Sequence, residues 1–562
     1  VALAALAAPA LLAAGCRTGG AAAAPAPAPL ATAPAPQAAP AVPLPAPPRL
    51  LAPADLDRLT GAFWAAAHVS PGPPAGDAEW LRRVTVDLAG RIPTLAEAEA
   101  FLADRAPDRR ARLVDRLLAS PDYAEHWADV FLDLYVGRQF RRPRLEKELD
   151  PRAYFVAAFR DNLPYDRLAT DLITFTGEIR PNGPGVFLAS HLKGAGPEAI
   201  ASATARLFLG VQIQCAQCHD HPYDARYKQE DFYGLVAYFA RTKYKQENLA
   251  KRAGNVLPSS DDMTETTMAA TAGQDRDDPK DPQDKKNKDK RFFIIDKPRG
   301  QATYKKPNTT EELVAPPRFL GREVDPGAAP RDAVARAVVA SDLFAKAAVG
   351  RFWAELFGRG IVDPWDDLGG EDDPKHPLLL RQLADDFRAS GFDVRHLLRT
   401  IVLSRAYGTT SRGTGDDPGS FARAAVRRLT PEQLYRSLQI ATGSNDDDKK
   451  IERLLREYLF VFGDDEGAVV NALASNIPQA LLLWNGEVTN QGARARPGST
   501  LAAILNATPE PAARLRRMFL TAYARPPTAE ESARLLPGLA ATPDYENLFF
   551  ALLTSTEMLT NH

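Results

Sequence analysis

The chain has 562 residues, 45% of them hydrophobic and 25% charged, with a formal net charge of −2. That is enough apolar material for more than one core, and the near-neutral balance excludes a general nucleic-acid binder, which would carry a strong basic excess. No apolar run reaches the roughly 18–20 residues that a bilayer-spanning helix needs.

The first 16 residues, VALAALAAPALLAAGC, form an apolar run that closes on small residues and Cys16. This is the pattern of a lipoprotein-type signal, in which Cys16 is lipidated. The run lacks an initiator Met and a basic start, and Leu12 stands one place further from Cys16 than a lipobox leucine would. A plain signal peptide is the alternative. Residues 17–52 are dominated by Ala and Pro with almost no charge, so they cannot build a core and are expected to form an extended, semi-rigid tether. Anchor and tether predict a lipid-attached protein of the cell envelope, periplasmic or surface-exposed, with the membrane as its first partner.

From residue 53 to 241 the pattern is helical. Leu113, Val114, Leu117 and Leu118 make one 3.6-period face, and Tyr123, Trp127, Val130, Phe131 and Leu134 make another after Ser120-Pro121, a cap followed by proline. A run from Pro197 to Gly210 leads straight into Cys215. Residues 242–316 change character: Gln274 to Arg291 holds no hydrophobic residue and predicts a solvated, charged insert, with Phe292 to Ile295 as its one short β segment. Helical periodicity returns over 317–562. The expectation is a mainly α protein with two helical domains, 53–241 and 317–562, joined by that insert.

Two stretches echo one another. Leu81-Arg82-Arg83 followed by Arg91-x-Pro93-Thr94-x-x-Glu97 returns as Leu515-Arg516-Arg517 and Arg525-x-Pro527-Thr528-x-x-Glu531. Thr94/Glu97 and Thr528/Glu531 each read as a capping box, and Ser120-Pro-Asp-Tyr123 resembles Thr542-Pro-Asp-Tyr545. A repeated helical unit is the reading, with no bearing on activity.

The chemistry concentrates in CAQCHDHPYD, Cys215 to Asp224. Cys-x-x-Cys-His is the spacing at which two thiols bond a haem and the adjacent imidazole ligates its iron, here Cys215, Cys218 and His219. A direct metal site is the second reading: His219, His221 and Asp224 with the thiols give dense ligation, zinc being the natural ion, although no second Cys pair exists and His126, His191, His376 or His396 would have to contribute. A redox disulfide and an unreactive structural staple complete the alternatives. Asp363 to Pro377 gathers seven possible oxygen or nitrogen ligands, but its spacing departs from calcium-loop patterns and an acidic, helix-capping loop is the plainer reading. No phosphate-binding loop, nucleophile elbow, zincin helix or dinucleotide fingerprint is present, so no catalytic residue is assigned.

Gln214-Cys-Ala-Gln-Cys-His-Asp-His-Pro-Tyr-Asp224, followed by Gln229-Glu-Asp-Phe-Tyr-Gly-Leu235, resembles the signature of the DUF1549 family, also called planctomycete-type cytochrome domain 2. Arg82 to Thr94, Asn162-Leu-Pro-Tyr-Asp166 and Phe208-Leu-Gly-Val211 extend the resemblance. The second half is similar to the companion DUF1553 family through Arg351-Phe-Trp353, Phe357-Gly-Arg-Gly-Ile361, Ser404-Arg-Ala-Tyr407, Arg427 to Leu434 and Ser555 to His562, with Gly350 where relatives commonly carry Asn. The resemblance implies a secreted or envelope protein of uncharacterised function, with a DUF1501-type secreted protein as a conceivable partner; haem c as cofactor and a redox partner are expectations from the Cys-x-x-Cys-His spacing, a single metal ion such as zinc being the alternative. The rival class is a non-enzymatic envelope scaffold.

Overall fold

Helices dominate because their starts are chemically specified. In this computed structural model, Ser120 Oγ accepts the Tyr123 amide at 3.2 Å and Pro121 opens the helix Pro121–Tyr135. Thr94 and Glu97 satisfy each other's amides at 3.2 and 2.7 Å to begin Leu95–Ala103. The structure describes residues 49–137, 151–179, 183–192, 195–222, 224–248, 290–368, 376–413, 418–444, 446–463 and 477–562. Cys16, the N-terminal run, the tether up to residue 48 and the charged stretch 274–289 lie outside the described residues.

The fold is mainly α, as expected. The insert 242–316 holds more strand than the one short segment expected: Thr242–Asn248 and Lys290–Asp296 join Gly177–Glu178 in an antiparallel sheet with Lys290–Asp296 in the centre, because a long pairing across the insert satisfies backbone groups that no local pattern announces. Phe292 and Ile294 are buried while Phe293 and Ile295 are only half covered, the period of two that a one-sided sheet requires. The hairpin Ala302–Lys305 with Glu312–Ala315 follows. Arg331, almost fully buried, closes this region onto the helices by donating to Asp296 Oδ1 at 3.1 Å and to the Ile173 carbonyl at 3.1 Å.

Residues Arg49–His562 form one compact unit, and the larger of its two apolar cores takes residues from both sides of the insert. Trp127, Phe131, Phe159 and Tyr165 pack with Phe344, Phe352 and Phe387, with Trp127 and Phe352 ring centroids 5.2 Å apart. The second core runs from Leu429 to Met558 and takes in Val86 and Ile92. Apolar packing is therefore continuous across the insert, and Leu520, far along the chain, also belongs to the larger core.

The echo seen in the sequence has a counterpart in three dimensions. Arg91 grips Glu97 at 2.8 and 3.0 Å and Asp122 at 2.6 Å. Arg525 grips Glu531 at 2.8 and 2.9 Å and Glu557 at 2.6 Å. Each arginine follows a helix ended by a left-handed residue, Gly90 at φ 66° and Ala524 at φ 60°. A non-glycine residue there carries about 1–2 kcal/mol of strain, so the turn is kept despite its cost.

Charged groups are driven inside. Arg82 is fully buried and donates to the carbonyls of Ala522, Glu557, Met558 and Thr560 at 3.0–3.1 Å. Arg351, also buried, donates to Tyr135 Oη and to the Leu207 carbonyl, both at 2.8 Å, and lies 4.1 Å over the Trp365 ring.

Near the start of the described chain, Asp386 accepts the Leu51 amide at 2.6 Å and faces His396 Nε2 at 2.8 Å. The hydrogen bond to Asp386 raises the His396 pKa above its ordinary 6.5, against the opposing pull of burial. A folded pKa above the unfolded one stabilises fully below about 6.5, and that stabilisation fades as pH rises through the folded value. The urea midpoint of His396→Gln should therefore fall furthest below wild type under mildly acidic conditions, with the gap closing as pH rises. A gap that widens with pH would contradict the pairing.

Candidate functional site

The cysteine segment is positioned by the helix Gly196–Leu209, which Gly210 ends in the left-handed region at φ 63°. A Cβ at Gly210 would stand 2.9 Å from Leu368 Cδ1, and the Leu368 amide donates to the Gly210 carbonyl at 2.7 Å. This approach draws the Asp366–Leu368 loop against the end of the helix. Val211 and Ile213 then anchor the chain in the core, and Gln214–Gln217 forms a 3₁₀ turn.

Ala216 is fully buried beneath that turn, while Cys215 and Cys218 are exposed, free thiols. Cys215 lies within that turn and Cys218 caps its C-terminal end. The Cys218 amide donates to the Cys215 carbonyl at 3.4 Å. The buried Gln229 side-chain amide braces the turn, 3.2 Å from the Gln217 carbonyl and 3.0 Å from that of Lys305. His219 is exposed and its Nδ1 donates to the Asp220 carbonyl at 2.7 Å, which leaves Nε2 as the lone-pair nitrogen of the neutral ring.

The next two candidates are committed locally. His221 Nδ1 accepts the Asp224 amide at 2.9 Å, so the neutral ring carries its proton on Nε2. Arg226 binds the Asp224 carboxylate at 2.6 and 2.8 Å and holds its pKa below the ordinary value. Among the described residues no group of three His, Cys, Asp or Glu side chains is arranged to hold a metal ion.

A cleft of about 800 Å³ opens beside Cys215, within the roughly 300–1,000 Å³ typical of cofactor and ligand sites. Ala199, Ser202, Ala203 and Arg206 line it at helical spacing, and the small side chains among them make the room. Val211 and Ile213 add apolar surface, and His191, His221, Asp224, Asp366 and Asp367 bring polar groups. Cys218 and His219 do not line the cleft. Asp366 is buried, accepts from Gln212 Nε2 at 2.9 Å and lies 3.7 Å from Arg206 Nη1. Burial, then the neighbouring Asp366, raises the Asp367 pKa. His191 Nδ1 lies 2.8 Å from the Phe187 carbonyl, and burial disfavours its protonated form.

Of the four histidines considered as extra ligands, His191 alone lines this cleft. His126 is buried against Gly90, its pKa pushed down to about 3 by burial. His376 Nε2 faces the Gly419 carbonyl at 3.0 Å, and His396 serves Asp386. From the acidic stretch, Asp366 and Asp367 reach the site, while Glu371, Asp372 and Asp373 lie outside the described residues. Sequence reasoning singled out these aspartates but had no signal that they meet Cys215, since about 150 residues intervene.

Residues 55–244 match PSCyt2, described as a protein of unknown function (DUF1549), and residues 330–458 match PSD1, likewise of unknown function (DUF1553). The chain carries a DUF1549 segment followed by a DUF1553 segment. No curated protein and no solved structure matches it. In this DUF1549–DUF1553 chain the cleft straddles the two matched segments, its cysteine and histidines coming from the first and Asp366 and Asp367 from the second. No helix among the described residues is long and apolar enough to cross a membrane.

Proposed function

We propose that this protein is a redox protein of the cell envelope that carries one c-type haem, attached through Cys215 and Cys218 with His219 as an axial ligand. The observation that carries this reading is the pair of free, exposed thiols, one in a 3₁₀ turn and one capping it, followed by an imidazole whose Nδ1 is already bonded to a backbone carbonyl. The attachment residues fit the group, with accessible thiols for the two covalent bonds and a lone pair on His219 Nε2; of these residues the cleft is lined by Cys215 alone. The lining also holds carboxylates, so the fit rests on the attachment residues more than on the walls. Bound there, haem would supply a reversible one-electron couple.

The chain's own residues do the positioning. Gln229 holds the turn from behind, Asp366 fixes Gln212 and Arg206 along one wall, and Asp367, with its raised pKa, takes up a proton more readily than an ordinary carboxylate. Attachment to the membrane through Cys16 would keep this surface in the compartment where c-type haem is attached.

Export in a host with cytochrome maturation tests the proposal by intact mass and by a haem stain after denaturation, because thioether attachment survives unfolding. Wild type should carry one covalent haem, and Cys215→Ser/Cys218→Ser should carry none. The same mass reports lipid on Cys16. Colourless wild-type protein with stoichiometric zinc would replace haem by a metal site, and protein lacking both would leave the scaffold reading.

A further inference from the structure

We propose that the helix Ile477–Asn485 and the end of the helix Asp448–Phe462 form a membrane-contact surface, which lays Phe460, Ile477, Leu481 and Trp484 into the interfacial zone of a lipid bilayer. This rests on the Cys16 anchor of the reading above and is independent of the haem. Among the described residues eight large hydrophobic side chains are exposed, and half of them are these four: Phe460 at 89%, Ile477 at 77%, Trp484 at 61% and Leu481 at 50%. The helix Ile477–Asn485 carries no charged residue. Its Leu482 and Leu483 turn into the second core, while Ile477, Leu481 and Trp484 recur at i, i+4 and i+7 along its solvent side. The Gln479 side-chain amide donates to the Val461 carbonyl at 3.2 Å, which draws the two helices together next to Phe460.

Area, charge and tether length favour lipid over a protein partner. At those exposures the four side chains present on the order of 500 Å². That is the size of a functional patch on a monomer, but short of the roughly 800 Å² per partner that a stable protein interface takes. A bilayer asks for apolar depth and no shape complement, and an indole and a phenyl ring among aliphatic neighbours are the usual composition of an interfacial helix. Arg456 and Glu457, one turn before Phe460, are of opposite sign, so the contact is apolar and owes little to anionic headgroups. Residues 17–48 run from the anchor to the folded body and can span at most about 110 Å. The body is therefore held close to the bilayer, and a patch too weak to bind lipid from solution becomes occupied at that local concentration.

Trp484 supplies the probe, because the other five of the chain's six tryptophans are buried. The exported full chain is used in the Cys215→Ser/Cys218→Ser background, so that no haem absorbs the emission. It is reconstituted into phosphatidylcholine vesicles brominated on the acyl chains, with lipid on Cys16 verified by intact mass. The Trp484 share of the emission should be lost, equally with or without anionic lipid and in low or high salt. Trp484→Phe should remove the quenchable share, and Ile477→Asp/Leu481→Asp should abolish quenching while the protein still floats with the vesicles. The arm with the native patch stands even where that double variant fails to fold. Unquenched emission from lipid-bearing protein with the native patch would overturn the surface, and a dimer in sedimentation that Leu481→Asp dissociates would give the patch to a second copy instead. Absence of lipid from the mass would overturn the anchor alone. The same vesicles added to that unanchored protein at millimolar lipid then decide the surface, quenching supporting it and unchanged emission overturning it.

Discussion

Asp87→Ala should lower the unfolding free energy by about 3–5 kcal/mol, the usual consequence of stripping one partner from a buried ion pair. Asp87 is buried on the helix Asp77–Ala89 and its carboxylate has three side-chain donors. Arg427 Nη2 reaches Oδ1 at 2.6 Å, Asn561 Nδ2 reaches Oδ1 at 2.7 Å and Tyr407 Oη reaches Oδ2 at 2.7 Å. Burial raises its pKa even with Arg427 alongside, so the charge is tolerated only because those donors face it. Alanine would leave Arg427 charged and enclosed. It would also loosen the short pairing of Arg427–Arg428 with Thr560–Asn561. Urea denaturation measures the loss, and amide exchange should show residues 556–562 opening first. A change below about 1 kcal/mol would show that the pair is dispensable.

Gly210→Val should disrupt the candidate site through its backbone. A branched residue forced to φ 63° carries about 1–2 kcal/mol of left-handed strain. Its Cβ would press on Leu368 Cδ1 at 2.9 Å and Ala347 Cβ at 3.2 Å, adding an overpacking cost of about 1–3 kcal/mol. Because Leu368 follows Asp366 and Asp367, the relief of that clash moves one wall of the cleft away from Cys215. Expected results are a lower urea midpoint and faster alkylation of Cys215, with covalent haem lost or reduced after export. Gly391 provides the control: it has φ 72°, but a Cβ added there would meet nothing within 4 Å, so Gly391→Ala should show the conformational cost alone and leave Cys215 untouched. Equal effects from both variants would remove the role assigned to the Gly210–Leu368 contact.

Local chemistry was legible in the residues. Thr94 with Glu97, Thr528 with Glu531, and Ser120 before Pro121 all cap helices where their spacing predicts, because a cap is decided within four residues. The helical class followed from apolar periodicity for the same reason. Arg82 and Arg351 were not legible as core residues. A guanidinium reads as surface until its carbonyl partners are known, and those of Arg82 lie more than 400 positions away. The cleft was hidden on similar grounds: Cys215 announced itself, but Asp366 and His191 join it only through tertiary packing. The shared core across the insert was equally silent, since no periodicity states which helix a face will meet.

The long reach of Arg82 and Asp87 bears on biogenesis. Their partners include the carbonyls of Ala522 and Thr560 and the side chain of Asn561, so a nascent chain emerging from the ribosome cannot settle its first helices until nearly all of it has been made.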